Sequence, residues 1–207
     1  MKFSILLTFF LAFALHSFAQ DSVEHFKSAL MPKKDGVEVV YSSDLHSLTL
    51  DVISDHIKPL DQPGYITVDK KIVQFVFIPN DALKTNDTTE ATGKKLLLSY
   101  MQYELNYIKD ELKLNIANVN YEWVDLNHKR YLLWYYDMPA GKKNSVLKQL
   151  NLSTICFAHA LNLNNPVTEG EKFDENKALL LKVAQTLKQN DFSLDFDELY
   201  KKLNGKG

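Results

Sequence analysis

The protein has 207 residues, of which 45% are hydrophobic, with 24 Lys and Arg, 26 Asp and Glu and one Cys. This apolar content excludes a disordered chain, and the single Cys excludes a disulfide framework and a zinc finger built on cysteines. A net charge of −2 gives no basic surface for nucleic acid, so we expect no nucleic-acid partner.

The first residues have the layout of a secretory signal peptide. Lys2 precedes an uncharged apolar run over residues 5–15, and Ser17 and Ala19 place small residues at −3 and −1 of a cut before Gln20. The run is too short to span a bilayer. We therefore expect residues 1–19 to be removed and residues 20–207 to form a single domain. The mature chain would be periplasmic or extracellular, with no transmembrane segment.

The segment that follows the signal peptide predicts a helix and then a strand. Residues 23–30 fit a short helix that would end before Pro32. Residues 37–41 are rich in β-branched side chains and predict a strand.

Asp44 opens a stretch whose periodicity fits two structures. Asp44 is a good N-cap, and Leu45, Leu48 and Val52 would share one face of the helix after it. Leu48, Leu50 and Val52 also alternate with other residues, as in a strand. Of the two, we favour the helix.

A hairpin, a loop and a helix come next. Two β-rich runs, 65–68 and 72–78, flank a short polar turn and predict the hairpin. The polar residues 80–92 predict a surface loop. The helix covers residues 94–113 and has an apolar stripe at spacings of three and four. The stripe consists of Leu97, Met101, Leu105, Ile108 and Leu112.

Three long strands joined by turns are predicted after this helix. They cover residues 115–125, 130–138 and 149–161, and the second is so apolar that we expect cover on both of its faces. In the third strand, Cys156 and His159 are three residues apart and would point to opposite faces. This placement argues against a catalytic pair of Cys156 and His159.

The C-terminal part predicts two helices on a sheet. The sequence Asn-Asn-Pro at 164–166 should break the chain, and Asp174 should cap a helix that extends to about residue 188. Residues 194–203 predict a short terminal helix. The whole order predicts an α+β fold, in which amphipathic helices pack on an antiparallel sheet.

This element order resembles the PsbP-like fold. The strand pair over 65–78, the helix over 96–112, the three long strands with a Pro-Ala-Gly turn, and the closing helix over 174–188 carry the resemblance. That group contains the photosystem oxygen-evolving subunit P, a Ran-binding nuclear import factor and small bacterial exported proteins. The resemblance covers roughly residues 65–189. It implies a PsbP-like sandwich and a binding or accessory role rather than an enzymatic one.

Catalytic motifs are absent from the sequence. Gly-x-Ser-x-Gly, His-Glu-x-x-His, the P-loop and the dinucleotide glycine pattern do not occur. We expect neither a metal site nor a cofactor. The alternative hypothesis is a hydrolase or metal-dependent enzyme whose site is assembled from dispersed residues, with Asp44, His46, His56 and His128 as the candidates.

The aromatic side chains are concentrated in one part of the chain. Seven of the ten Tyr and both Trp lie between residues 100 and 136. Core packing explains many aromatic residues, but Tyr and Trp also suit partner surfaces, because one end is apolar and the other forms hydrogen bonds. Candidate binding residues are Tyr103, Tyr107, Trp123, Trp134 and Tyr136.

The leading hypothesis is an exported, non-enzymatic binding or accessory protein that uses these Tyr and Trp side chains. Its partner would be a protein, a peptide or a glycan in the cell envelope or outside the cell. A secreted structural or toxin-antagonist protein fits the same sequence.

Overall fold

A computed structural model describes residues 24–79, 90–139 and 146–205 of the chain. The predicted signal peptide and most of the predicted 80–92 loop lie outside these residues. The strands are β1 (Lys27–Lys33), β2 (Gly36–Ser42), β3 (Ser47–Ile53), β4 (Ile57–Pro59), β5 (Tyr65–Val68), β6 (Lys71–Pro79), β7 (Ala117–Leu126), β8 (Lys129–Asp137), β9 (Val146–Cys156), β10 (His159–Thr168) and β11 (Lys188–Asn190). The helices are α1 (Glu90–Asp110), α2 (Phe173–Ala184) and α3 (Phe196–Leu203).

The strands form two antiparallel sheets. The small sheet has the order β1-β2-β3-β11, and the large sheet has the order β4-β5-β6-β10-β9-β8-β7. Buried residues of both sheets and of α2 share one hydrophobic core, to which Leu50, Leu152 and Leu180 belong. A second cluster lies between α1 and the opposite face of the large sheet. The fold is thus α+β, as predicted, with the large sheet as the middle layer.

The predicted helix over 23–30 is wrong, because residues from Lys27 onward form β1. This strand pairs with β2 along its whole length, and Pro32 lies opposite Val37. Since β1 is the edge of the small sheet, the missing N–H of Pro32 costs no hydrogen bond to a further strand. The strand predicted over 37–41 is confirmed as β2.

The predicted helix after Asp44 is also wrong, and the alternation of Leu48, Leu50 and Val52 was the correct signal. These three residues lie in β3 and are buried in the main core. β3 is covered on one face by the large sheet and pairs with both β2 and β11. This burial favours the strand over the helix, although the sequence pattern fits both.

The third long strand of the prediction is two strands. β9 and β10 meet at a tight turn of Phe157 and Ala158, which both have positive φ, 47° and 56°. The predicted break at 164–166 is wrong as well, since Pro166 lies within β10. β10 pairs with β6 only from His159 to Asn164, so Pro166 stands where that side of the strand has no partner in the ladder.

The other predicted elements are confirmed. The hairpin of β5 and β6 turns at Asp69 and Lys70, and that of β7 and β8 turns at Asn127 and His128, all with positive φ. The helix predicted over 94–113 is α1, and the helices predicted from Asp174 and Leu194 are α2 and α3. Asp174 is not the N-cap of α2, however, because Lys172 takes that position and Asp174 lies in the first turn, and α2 ends at Ala184 rather than near residue 188. β8 has four consecutive buried residues, as its apolar sequence predicts.

Candidate functional site

A cleft of about 430 Å³ opens between α1 and the large sheet. The first half of α1 packs closely on the sheet, because Leu97 and Met101 belong to one buried apolar cluster with Leu132 and Ala160. Farther along the helix, the facing sheet residues become polar and the two layers separate. We call this space the α1 cleft.

Carboxamide side chains cover the sheet side of the α1 cleft. They come from three adjacent strands, and alternation along each strand points them toward α1. We call this set the amide floor; it consists of Gln74, Gln149, Asn151, Asn162 and Asn164.

The amide floor is internally hydrogen-bonded across the strands. Asn164 Nδ2 donates to Gln74 Oε1 at 2.5 Å, and Gln149 Nε2 donates to Asn164 Oδ1 at 3.2 Å. Asn162 Nδ2 donates to Asn151 Oδ1, also at 3.2 Å. These bonds hold the amide groups in defined orientations.

Two buried side chains fix the orientation of Asn162 further. Ser153 Oγ donates to Asn162 Oδ1 at 2.8 Å, and Trp134 Nε1 donates to Ser153 Oγ at 3.1 Å. Since the indole is only a donor, the direction of the chain from Trp134 through Ser153 to Asn162 is set.

Asn151 has a donor left over. Its residue is 4% exposed, and Nδ2 is buried without a hydrogen-bond partner among the described residues. A buried donor with no partner costs about 1–3 kcal/mol. The Nδ2 atom has almost no accessible surface of its own, but the Asn151 side chain lines the α1 cleft, so the unused donor borders the space that a ligand would fill.

The helix side of the cleft carries a carboxyl group close to two tyrosines. The Tyr100 hydroxyl is hydrogen-bonded to both Glu104 and Asn162, and burial is the main cause that raises its pKa. Burial also raises the pKa of the Glu104 carboxyl, against the opposing effect of the Tyr100 hydrogen bond. Burial and the nearby Glu104 charge raise the pKa of Tyr136 to about 12.

The structure brings together three of the five predicted binding residues. Tyr107, Trp134 and Tyr136 line the α1 cleft, and Tyr107 is 47% exposed. Trp134 and Tyr136 are buried, with ring centroids 6.0 Å apart. Because both rings are buried, they offer little open surface to the cleft.

Tyr103 and Trp123 do not line the α1 cleft. Tyr103 is 55% exposed and lies one turn before Tyr107 on α1. Trp123 is half-buried against the apolar cluster under the helix, and Lys94 Nζ lies 5.9 Å from its ring centroid. The sequence predicted these five aromatics as one set, whereas the structure divides them between the cleft and its surroundings.

The residues of the alternative, enzymatic hypothesis are scattered. His46 and His56 lie before and after β3, whose length of seven residues corresponds to roughly 24 Å. His128 is in the turn between β7 and β8. Among the described residues, no group of three or more His, Cys, Asp or Glu is placed to hold a metal ion.

His46 instead belongs to a hydrogen-bonded group at the start of the described chain. Its Nδ1 lies 2.9 Å from both carboxylate oxygens of Glu24, and the Ser43 hydroxyl donates to Glu24. Ser43 Oγ also accepts from the His46 backbone N–H. Because Ser43 and His46 each contact Glu24 rather than one another through their side chains, this is not a nucleophile and its base.

Cys156 and His159 lie on the same face, contrary to the prediction, because they are paired opposite each other in the β9–β10 hairpin. They still make no catalytic pair. The ring nitrogens of His159 contact the backbone oxygens of Phe157 and Glu24. Burial raises the pKa of the Cys156 thiol to about 11, so this thiol is not activated.

A second cleft, of about 470 Å³, lies between β2 and the residues before α3. Its serines and Asp195 are hydrogen-bonded within the protein. Ser42 Oγ accepts from the backbone N–H of Leu194, and Asp195 accepts from the N–H of Glu198 as the N-cap of α3. The α1 cleft is the better candidate, because it contains the unused Asn151 donor.

The amide floor had a signal in the sequence that our prediction did not use. Gln149 and Asn151 alternate with leucines, as do Asn162 and Asn164. Such alternation is typical of a strand with one face in water. A helix amphipathic enough to cover that face is predicted just before these strands, so the combination indicates a polar cleft beneath the helix.

The chain matches no protein-family model and no curated protein. Among solved structures, it is similar to the solution structure of cyanobacterial PsbP (CyanoP) from Synechocystis sp. PCC 6803. The match has 14% identity and a TM-score of 0.41, and covers 84% of this chain and 98% of that one. At this identity and TM-score, no function passes from that protein to this chain.

None of the described helices is both long and apolar enough to cross a membrane.

Proposed function

We propose that this protein is an exported, non-enzymatic binding protein and that the α1 cleft is its ligand site. The observation that carries the proposal is the Asn151 amide, which is buried and has an unused donor in a cleft lined with side chains already held in place by hydrogen bonds. A preorganised polar site of this kind loses little entropy when it binds a ligand.

The size and the lining of the cleft support a small ligand. Its volume of about 430 Å³ falls in the range of roughly 300–1,000 Å³ that is typical of small-molecule sites. The lining combines aromatic side chains with a few convergent polar groups, and Tyr107 and Leu112 stand half-exposed at the opening. This combination favours binding over catalysis, because the described lining contains no Ser, Cys, Lys or His, and its one carboxyl, Glu104, is hydrogen-bonded to the Tyr100 hydroxyl.

Two tyrosines on α1 provide a matched test. Tyr107 lines the cleft and Tyr103, four residues before it, does not, although both are about half exposed. The ¹⁵N-labelled mature protein is titrated with a mixture of small polar compounds, covering sugars, short peptides and amino acids. We expect backbone amide shifts confined to the strands of the amide floor and to α1.

The same titration is repeated with the Tyr107→Ala and Tyr103→Ala variants. Loss of the response in Tyr107→Ala and its retention in Tyr103→Ala would support the proposal. If the mixture shifts no cleft residue, or if both variants behave like the original protein, the α1 cleft is not the site.

The export part of the proposal is supported by the signal-peptide layout of residues 1–19. When the full chain is expressed in a bacterial host, we expect the folded protein in the periplasm or medium with Gln20 as its first residue. Intact mass measurement of that fraction tests this. A mass that still includes residues 1–19 would contradict the cleaved-signal proposal, and the α1 cleft would remain to be tested independently.

A further inference from the structure

The chemistry of the α1 cleft narrows the ligand class, on the premise that the proposed function is correct. The described residues that line it include no Lys, Arg, His or Asp, and their one carboxyl group is that of Glu104. An anionic ligand would meet no cation there and would be repelled by an ionised Glu104. The site therefore favours a neutral ligand.

The amide floor specifies the kind of polar group that the ligand carries. Each carboxamide offers two donors and one acceptor oxygen, and the five side chains of the floor lie side by side on adjacent strands. A ligand must both donate and accept at closely spaced points to satisfy them. Hydroxyl groups do this, because each has one donor and two acceptor lone pairs.

A peptide fits this floor less well. Extended peptides are usually recognised by adding a strand to a sheet edge, where backbone groups are free. β9 and β10 are interior strands with partners on both sides, so their backbone hydrogen bonds are used within the sheet. The cleft consequently offers side-chain amides alone, and the apolar cluster beneath the first half of α1 limits its length.

We infer that the α1 cleft binds a neutral carbohydrate, a mono- or disaccharide. Its hydroxyl groups form hydrogen bonds with the amide floor, and one of them accepts a hydrogen bond from the unused Nδ2 of Asn151. The C–H face of a sugar ring is apolar and its rim is polar. The half-exposed Tyr107 ring at the opening, opposite the amide floor, matches that division.

The experiment is a calorimetric titration of the mature protein with defined probes. The neutral probes are glucose, N-acetylglucosamine, maltose and cellobiose, the anionic probe is glucuronate, and the peptide probe is triglycine. We expect at least one neutral sugar to bind, and glucuronate and triglycine to bind more weakly or not at all.

Asn151→Leu keeps the side-chain shape and removes the unused donor, together with the Oδ1 that accepts from Asn162 Nδ2. Because one hydrogen bond contributes roughly 0.5–1.5 kcal/mol, we expect this variant to weaken sugar binding by about tenfold. Tyr103→Ala should leave the affinity unchanged. Thermal unfolding checks that each variant is folded, and Gln149→Leu, at a half-buried position of the same floor, replaces Asn151→Leu if that variant does not fold.

The outcomes separate this inference from the proposed function. Binding of triglycine or glucuronate in preference to the neutral sugars, with loss in Tyr107→Ala, would overturn the carbohydrate assignment and leave the α1 cleft as a binding site. Sugar binding that is equally strong in Asn151→Leu and Gln149→Leu would overturn the role of the amide floor. If no probe binds and no cleft residue responds to the small-molecule mixture, both ideas fail.

Discussion

The buried amide side chains of the large sheet illustrate how a residue can be costly for folding and useful for binding. Asn151 and Asn162 are 4% and 3% exposed, although Asn is mostly found at protein surfaces. Their mutual hydrogen bonds recover part of the desolvation cost, but Asn151 Nδ2 recovers none of it within the described residues. A ligand that accepts this hydrogen bond removes the deficit, which links stability to occupancy of the site.

Glu104 should make the stability of the protein depend on pH. Burial raises the pKa of its carboxyl above the ordinary 4.5, so the folded protein holds a proton that the unfolded chain has released. Stability therefore falls as the pH rises through the window between 4.5 and the raised pKa. We expect Glu104→Gln to raise the melting temperature at pH 7 and to leave it unchanged near pH 4.

Thermal unfolding followed by circular dichroism at the two pH values measures this effect. Glu169→Gln, at an exposed turn position, controls for the change in net charge. A lower melting temperature of Glu104→Gln at pH 7 would show that its ionised carboxylate stabilises the fold instead.

Cys156 should be unreactive in the native protein. The residue is 1% exposed, and burial raises the pKa of its thiol to about 11, so the nucleophilic thiolate is scarce at pH 8. We expect iodoacetamide to label Cys156 slowly at pH 8 and rapidly after addition of urea, as followed by mass spectrometry. Equal labelling rates in both conditions would contradict the buried placement.

At the scale of elements, glycine positions differ sharply in what they tolerate. A Cβ at Gly36, the first residue of β2, would lie 2.0 Å from the Val52 backbone oxygen, and its φ is +150°. A Cβ at Gly93 in α1 would meet nothing within 4 Å. Gly36→Ala must therefore distort the pairing of β2 with β3, whereas Gly93→Ala adds a better helix former.

We expect Gly93→Ala to stabilise the protein by roughly 0.5–1 kcal/mol and Gly36→Ala to destabilise it by more than that. Urea unfolding monitored by circular dichroism compares the two variants with the original protein. A Gly36→Ala variant as stable as the original would mean that β2 and β3 separate there without cost.

The sequence predicted elements well where local chemistry and burial agree. The turn at Asn127 and His128 was predictable because polar residues such as Asn tolerate positive φ. The turn at Phe157 and Ala158 was missed because neither residue signals a left-handed conformation. Phe157 is held there by tertiary contacts, since its ring stacks on His46 at a centroid distance of 4.4 Å, and local sequence does not encode such contacts.

The cleft, which is assembled from distant segments, was less predictable from the sequence than the helices and strands. Tyr107, Trp134 and Tyr136 were predicted, but only as aromatics close in sequence. Their proximity to Gln74 depends on β6 lying next to β10, a pairing across about 90 residues that joins Asn164 to Gln74. Strand order fixes this neighbourhood, and residue periodicity alone does not.

The whole molecule should unfold as one unit, although it has two sheets. The main core contains Val39 and Leu48 from the small sheet together with Leu133 and Leu163 from the large sheet. Neither sheet can keep its apolar face covered without the other. We expect urea transitions to coincide when followed by far-ultraviolet circular dichroism, which reports both sheets, and by Trp fluorescence, which reports β7 and β8.

This coincidence also tests the expected single domain over residues 20–207. Thermal unfolding in a calorimeter, with equal calorimetric and van't Hoff enthalpies, is the independent measure. A fluorescence transition that is separate from the circular dichroism transition would show that the two sheets unfold separately.

The four sheet edges have a consequence for the behaviour of many copies of this protein. A free edge is a template on which another chain can add a strand and begin to aggregate. Two edges here, β4 and β11, have only three residues each, and β1 carries Pro32. The long edge β7 is interrupted by a register shift between Ala117 and Asn120, where Asn118 has a φ of 52°. Among the described residues, the seven of β7 from Asn120 to Leu126 are therefore the longest unbroken free edge, and edge-to-edge association at high concentration would begin there.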